Sequence, residues 1–279
     1  VFVEDVAAHD ANALRLSRAV GLSQGIGAGL EVTGRYERGV RTLLDVEPAL
    51  VRDAGGVTVT WVRERVRAFG RAELRFERGA AVSRVQRLAG GGGEVELLPS
   101  LRGSLRVNYS DTTNAQALEA RLFEGSAGLA WRLEGGMVVL RYSVERELPP
   151  LARAGFAEKG LQVVSLMPSL RLGQRFAVAA GAHAGWSYAA GNSALVLSGS
   201  LRPSVKVVAG LELAAEVARR SAAPDGGELT ALRGEAGYRL NEQMMLAVGY
   251  TAFGFSGLGF SSDAADSRDR VYLRAELAY

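Results

Sequence analysis

The sequence predicts an all-β protein, a transmembrane antiparallel up-and-down β-barrel of about 16 strands (roughly 14 to 18), with short turns at one end and longer loops at the other. Three observations lead there. Apolar and polar residues alternate with a period of two along most of the chain. Aromatic residues gather at the ends of the apolar stripes. No apolar run approaches the roughly 18 residues that a membrane helix needs. The best helical candidate, Phe176 to Trp186, is too short and is interrupted by His183.

The alternation is clearest in four segments. Leu30, Val32, Gly34 and Tyr36 share one face, and Glu31, Thr33, Arg35 and Glu37 the other. Leu101, Gly103, Leu105, Val107 and Tyr109 oppose Arg102, Ser104, Arg106 and Asn108. Val138, Leu140, Tyr142 and Val144 oppose Arg141, Ser143 and Glu145. Val207, Ala209, Leu211, Leu213, Ala215 and Val217 oppose Lys206, Glu212 and Glu216. Each is a half-polar strand of about ten residues, the length that crosses a bilayer when tilted. An N-terminal piece at Val1 to Val6 and a last strand from Arg270 to Tyr279 complete the series.

Short turns are expected near Gly25, Glu64, Gly93, Glu134, Gly173, Pro203 and Asn241. Longer connections are expected at Arg38 to Gly56, Arg146 to Lys159, Ala218 to Gly227 and Ala252 to Asp269. This asymmetry is the hairpin pattern of outer-membrane barrels, with short periplasmic turns and longer extracellular loops. Four short turns share an arginine at the end of the incoming strand: Arg132, Arg171, Arg202 and Arg239. Gly90 to Gly93 reads as a weakened strand end and turn. GIGAG at Gly25 to Gly29 lacks the following helix of a phosphate loop and reads as a turn. No linker interrupts the pattern, so residues 1–279 are expected to form a single transmembrane barrel domain.

Composition agrees. The 279 residues are 48% apolar and 23% charged, a profile neither of disorder nor of a helical membrane protein. Thirty-five glycines against 7 prolines suit strands and tight turns, and the absence of cysteine suits a chain that crosses an oxidising compartment without disulfides. The net charge is +3. Apart from Lys159 and Lys206 every base is an arginine, interleaved with glutamate rather than gathered in runs, which argues against nucleic acid as a partner. The chain opens at Val1 with no visible signal peptide and reads as a mature form or an excised domain.

The aromatics decide which solvent meets the apolar face. Tyr36, Phe76, Tyr109, Tyr142, Trp186, Tyr188 and Tyr250 stand before the longer loops, and Trp61, Trp131, Phe176 and Tyr238 beside the short turns. Two rings of amphipathic aromatics suit the two interfaces of a membrane, whereas a soluble sandwich buries its aromatics in mid-strand.

The chain ends on Tyr279, with Leu277, Ala275, Leu273 and Val271 continuing its face at strict alternation. This ending resembles the terminal strand by which outer-membrane barrels are handed to their insertion machinery. ALEARLFEGSAGLAWR at Ala117 to Arg132 and GYRLNEQMMLAVGYTAFGFSGLGFS at Gly237 to Ser261, with the final RVYLRAELAY, resemble the C-terminal barrels of large bacterial surface proteins whose extracellular β-sandwich repeats precede the barrel. The resemblance implies the outer membrane of a Gram-negative cell. Its implied partners are outer-membrane lipid and lipopolysaccharide, the insertion machinery, and other surface or periplasmic proteins.

With the apolar face outward, the lumen is expected to be lined by Glu31, Arg35, Glu73, Arg75, Arg102, Arg106, Glu124, Arg141, Glu145, Arg171, Glu212, Glu216, Arg233 and Glu235. Arginine facing mid-bilayer costs about 2 to 4 kcal/mol, so these side chains turn inward. They are read either as cross-strand pairs hydrating the wall or as a charged constriction that selects solutes. About 16 strands enclose an aqueous channel unless something fills it, and the Arg38 to Gly56 connection is a candidate to fold inward and narrow the bore.

Nothing suggests catalysis. His9 is expected in a loop and His183 on the hydrated polar face with Ser187; four residues along a strand is about 13 Å, too far for that histidine to activate that serine. Asn192 is expected in the next loop. Asp263, Asp266 and Asp269 read as solvated loop acids. No cofactor or metal is expected. The expected function is membrane anchor or translocation domain of a surface protein, with or without a water-filled pore. The alternative is a general diffusion porin for small solutes, and an outer-membrane enzyme ranks third.

Overall fold

The computed structural model describes residues 2–10, 13–43, 46–79, 83–114, 117–148, 158–189, 192–208, 210–223, 226–241, 244–253 and 270–277. Its elements among these residues are β1 (Phe2–Asp10), β2 (Ala13–Gly27), β3 (Leu30–Leu43), β4 (Val46–Arg63), β5 (Val66–Arg78), β6 (Ser83–Leu98), β7 (Leu101–Asn114) and β8 (Ala117–Leu133). The series continues with β9 (Gly136–Leu148), β10 (Lys159–Leu172), β11 (Phe176–Ala189), β12 (Asn192–Val208), β13 (Leu211–Ala223), β14 (Gly226–Arg239), β15 (Met244–Phe253) and β16 (Arg270–Leu277). These 16 strands form one sheet in which each hydrogen-bonds to its sequence neighbours. Nearest-neighbour, up-and-down order needs only hairpins, so every contact that sets the register is local in sequence.

Two compact units divide the chain: Val1–Ala127 with Ser143–Gly160, and Gly128–Tyr142 with Leu161–Tyr279. In the first, bulky residues of the apolar face stand opposite small ones. Tyr36 faces Gly55, Val57 faces Gly34, Leu105 faces Gly93, and Tyr109 faces Ala89. In the second unit the same face carries Trp186 opposite Leu195, Leu201 opposite Val217, Leu211 opposite Tyr238 and Val248 opposite Leu273.

Burial is inverted relative to a water-soluble fold. The large apolar side chains are exposed, Leu105 at 58% and Trp131 at 53% among them. The buried apolar residues are Ala19, Ala54, Val163, Val196, Ala218, Ala231 and Ala247, all on the polar face, and no large side chain among the described residues is fully buried. Without a core, burial at about 25 cal/mol per Å² cannot hold such a sheet together in water. An apolar solvent on one side and ladder hydrogen bonds between strands can.

Several expectations shift. Gly90 to Gly93 are not a turn: they lie in the middle of β6, paired on both sides, and the turn falls at Pro99 and Ser100. A Cβ on Gly92 would come within 2.5 Å of the Leu105 carbonyl oxygen, and one on Gly90 within 2.6 Å of Asn108 Oδ1. Crowding, not chain reversal, selects these glycines. Pro203 is likewise inside β12; the ladder to β13 pairs Leu201 with Val217 and resumes at Ser204 with Ala214, so the donor that proline lacks falls in a gap. Arg202 therefore sits within a strand rather than at its end.

The long connections shorten too. β3 runs to Leu43 and β4 starts at Val46, so Arg38 to Gly56 continues the hairpin instead of forming an inward loop. β13 and β14 similarly extend into Ala218 to Gly227. β4 reaches 18 residues, well past the length a bilayer demands. Ladder hydrogen bonds persist where alternation fades, because outside the hydrocarbon both faces can be polar. Residues 149–157 and 254–269, with Asp263, Asp266 and Asp269, lie outside the described residues. The first strand extends to Asp10, and the backbone of His9 pairs with Leu14 in a strand, not a loop; Asn192 opens β12 opposite Ala189. At the GIGAG turn, Gly27 and Gly29 have φ of +101° and +79°, the left-handed region where glycine is favoured.

Candidate functional site

The candidate site is the charged face of the sheet. Every residue expected to line a lumen falls on the polar face: Glu31 and Arg35 on β3, Glu73 and Arg75 on β5, Arg102 and Arg106 on β7, Glu124 on β8, Arg141 and Glu145 on β9, Arg171 on β10, Glu212 and Glu216 on β13, Arg233 and Glu235 on β14. The eleven interface aromatics fall on the opposite face. Tyr36, Tyr109, Trp131, Tyr142, Phe176, Trp186, Tyr238 and Tyr250 are exposed there, and Trp61, Phe76 and Tyr188 are half-buried. Val271, Leu273 and Ala275 of the terminal strand are exposed; Leu277 pairs in register with Met244, and Tyr279 lies outside the described residues.

In the first unit many of the charges find partners locally. Arg35 reaches Glu4 at 3.3 Å and Glu37 at 3.4 Å. Arg75 pairs with Glu73, two residues along the same face, and donates to Gln86 at 3.3 Å. Arg71 donates to Asn108 at 3.2 Å, and Asn108 to Glu124 at 3.4 Å. The Arg106 guanidinium lies 5.7 Å from the Phe69 ring centre, a cation–π contact in the space that Gly90 and Gly92 leave open. Arg102 approaches Glu96 at 3.9 Å, and Glu31 accepts from Ser23.

The second unit divides its charges unevenly. Arg202 pairs with Glu235 at 2.7 Å and Arg233 with Glu216 at 3.8 Å, and Glu212 stands opposite Lys206. Arg132 and Arg171 have no carboxylate within ion-pair distance among the described residues. Both line a cavity of about 610 Å³ beside the short turns, together with Arg202, Ser169, Ala177, Ala179 and Ser204. Of the three arginines only Arg171 is among the expected lumen residues. The arginine repeated near successive short turns is the sequence signal for the other two.

His183 departs from expectation. It lies on the polar face but is only 7% exposed there, with its Nδ1 2.8 Å from the hydroxyl of buried Ser165 on the adjacent strand β10. The serine that meets this histidine is thus across the ladder, where sequence spacing cannot find it.

On the apolar face, polar groups collect toward the long-connection ends. The Tyr36 hydroxyl meets Asp53 at 2.7 Å and Arg38 approaches the same carboxylate at 3.8 Å. Arg87 pairs with Asp111 at 3.4 Å, and Arg219 with Glu228.

No family model and no curated protein sequence matches the chain. Solved structures do. The chain resembles a mutant of the ferric enterobactin receptor of Pseudomonas aeruginosa with a TM-score of 0.66 and 10% identity, over 99% of this chain and 56% of that one. The ferric citrate transporter in its unliganded form matches with a TM-score of 0.56 and 8% identity, over 98% of this chain and 53% of that one. A bacterial polysaccharide outer membrane secretin matches at 0.50 and 10% identity, over 95% of this chain and 87% of that one. The fold is that of an outer-membrane β-barrel. The chain spans little more than half the length of the receptor and the transporter.

Proposed function

We propose that this chain is a membrane-spanning barrel of the bacterial outer membrane whose charged face lines a water-filled passage, and that it anchors a larger surface protein or translocates part of it. The observation that carries this reading is the inversion of burial, with large apolar side chains exposed on one face and Arg and Glu gathered on the other. An apolar exterior needs lipid, and a wall of ionised groups needs water. The polar groups outside the aromatic belt, Arg38 with Asp53 and Arg219 with Glu228, support contact with the headgroups of outer-leaflet lipopolysaccharide. The exposed apolar face of Val271, Leu273 and Ala275 supports recognition of the last strand by the insertion machinery. The anchoring role and the surface or periplasmic partners rest on the resemblance to surface-protein barrels. In this reading the chain is not an enzyme.

The excess arginine of the second unit favours a second reading, a diffusion porin with a preference for anions. Single-channel recording of the refolded barrel in a planar bilayer tests the passage: steady ohmic steps are expected, and silent insertion would overturn it. A reporter domain fused ahead of Val1 then separates the roles. Reporter exposed to protease on intact cells supports the anchor, and reporter retained in the periplasm supports the porin.

A further inference from the structure

We propose that the cavity beside the short turns of the second unit is a binding site for a free phosphate-class oxyanion, a phosphate monoester or diphosphate, held by Arg132 and Arg171. The inference rests on the reading of the polar face as water-accessible.

Short side chains share the lining of the cavity with Leu133, Met137, Leu170 and Val178. Ala177 stands opposite Ser204 and Ala179 opposite Arg202 across the β11–β12 ladder, and the Ser169 hydroxyl turns down onto the Met137 carbonyl at 3.4 Å. Arg132, Arg171 and Arg202 contribute to the lining, and the open volume of about 610 Å³ exceeds what a few waters need. The backbone fixes the rim, since the Arg171 amide donates to the Gly135 carbonyl at 2.6 Å and locks β10 beside the β8–β9 turn.

Charge supplies the specificity. Glu235 pairs with Arg202 and holds that guanidinium in place, while Arg132 and Arg171 have no carboxylate within ion-pair distance among the described residues. The two guanidiniums without an ion pair carry two positive charges, the charge of a phosphate monoester with opposite sign. Guanidinium presents planar paired donors that match two phosphate oxygens at once. A headgroup of membrane lipid is disfavoured as the occupant because Arg132, Arg171 and Arg202 lie on the face opposite Trp131, Leu170 and Leu201, the face that meets lipid.

Calorimetric titration of inorganic diphosphate into the refolded full chain, in zwitterionic detergent at moderate salt, tests the site without needing an open pore. Saturable one-site binding is expected. R132Q/R171Q should weaken it at least about tenfold, since hydrogen bonds between charged groups each carry about that factor. Arg67→Gln, two residues from its own short turn but opposite Glu94, should leave it unchanged. Ala177→Asp, which adds a carboxylate to the lining and keeps both arginines, should also abolish binding, and heat-dependent gel mobility shows that each variant is folded. Absence of saturable binding in the parent chain, or equal loss in Arg67→Gln, would overturn the proposal. So would uptake of short-chain phosphatidic acid in place of diphosphate. A silent bilayer with diphosphate binding intact would sink the passage and leave the site; an open channel without binding would sink the site alone.

Discussion

The polar face of β5 to β8 in the first unit and that of β8 to β12 in the second are built from the same residue types, Arg, Glu and small polar residues, and reach different electrostatic ends. In the first, Arg75 pairs with Glu73, Asn108 bridges Arg71 and Glu124, and Arg106 lies over Phe69, so each of these groups has a partner. In the second, Arg132 and Arg171 share a cavity lining with alanines and serines and have no counter-charge in reach among the described residues. Cross-strand register accounts for the difference. A strand alone decides which face a charge takes; the neighbouring strands decide whether it finds a partner there. A neutralised wall stiffens and hydrates, whereas an unbalanced one attracts ions.

The contrast depends first on the two faces being different solvents, and substitutions in one strand can break that premise. Leu105→Arg, at the centre of the apolar stripe of β7, is expected to destabilise the protein in lipid vesicles by about 2 to 4 kcal/mol, while Ser104→Arg on the next residue is expected to be nearly neutral. Denaturant unfolding of both would show it, and equal effects would mean that the faces are misassigned. A smaller effect separates the two units. Gly92→Ala pushes a methyl toward the Leu105 carbonyl oxygen and is expected to lose about 1 to 3 kcal/mol. Ala179→Ser, in the cavity lining of the second unit, should stay within about 0.5 kcal/mol in the same assay. The smallest effect sharpens the account of the first unit's partners: a double-mutant cycle of Phe69→Ala with Arg106→Gln should return a coupling of about 0.5 to 1 kcal/mol. A coupling of zero would mean that the ring and the guanidinium are neighbours without an interaction.

Much of this was legible in the chain itself. Period-two alternation assigns Glu73 and Arg75 to one face and Tyr109 and Trp131 to the other, because side chains in a strand must alternate. Aromatics at the stripe ends and the terminal Val271, Leu273 and Ala275 mark the apolar face as the one turned to lipid, and the hairpin order follows from turn spacing. The sequence also displayed the repeated arginines near the short turns without revealing that three of them line one cavity.

What alternation could not supply was anything that depends on a neighbour. Gly90 to Gly93 looks like a turn in isolation, and only the crowding of Leu105, Asn108 and Phe69 explains it as mid-strand. Pro203 is tolerated inside β12 only because the facing ladder has a gap. Arg38 to Gly56 reads as loop because alternation fades, yet hydrogen bonds between β3 and β4 continue where no apolar face is required. His183 finds Ser165 on another strand, 18 residues away. By itself the sequence determined the strands, their faces and their solvents, since these follow from the geometry of one extended chain. Only the tertiary structure decided which charges cancel and which remain free, because pairing belongs to the register between strands, and a one-residue slip there would turn every side chain to the other face.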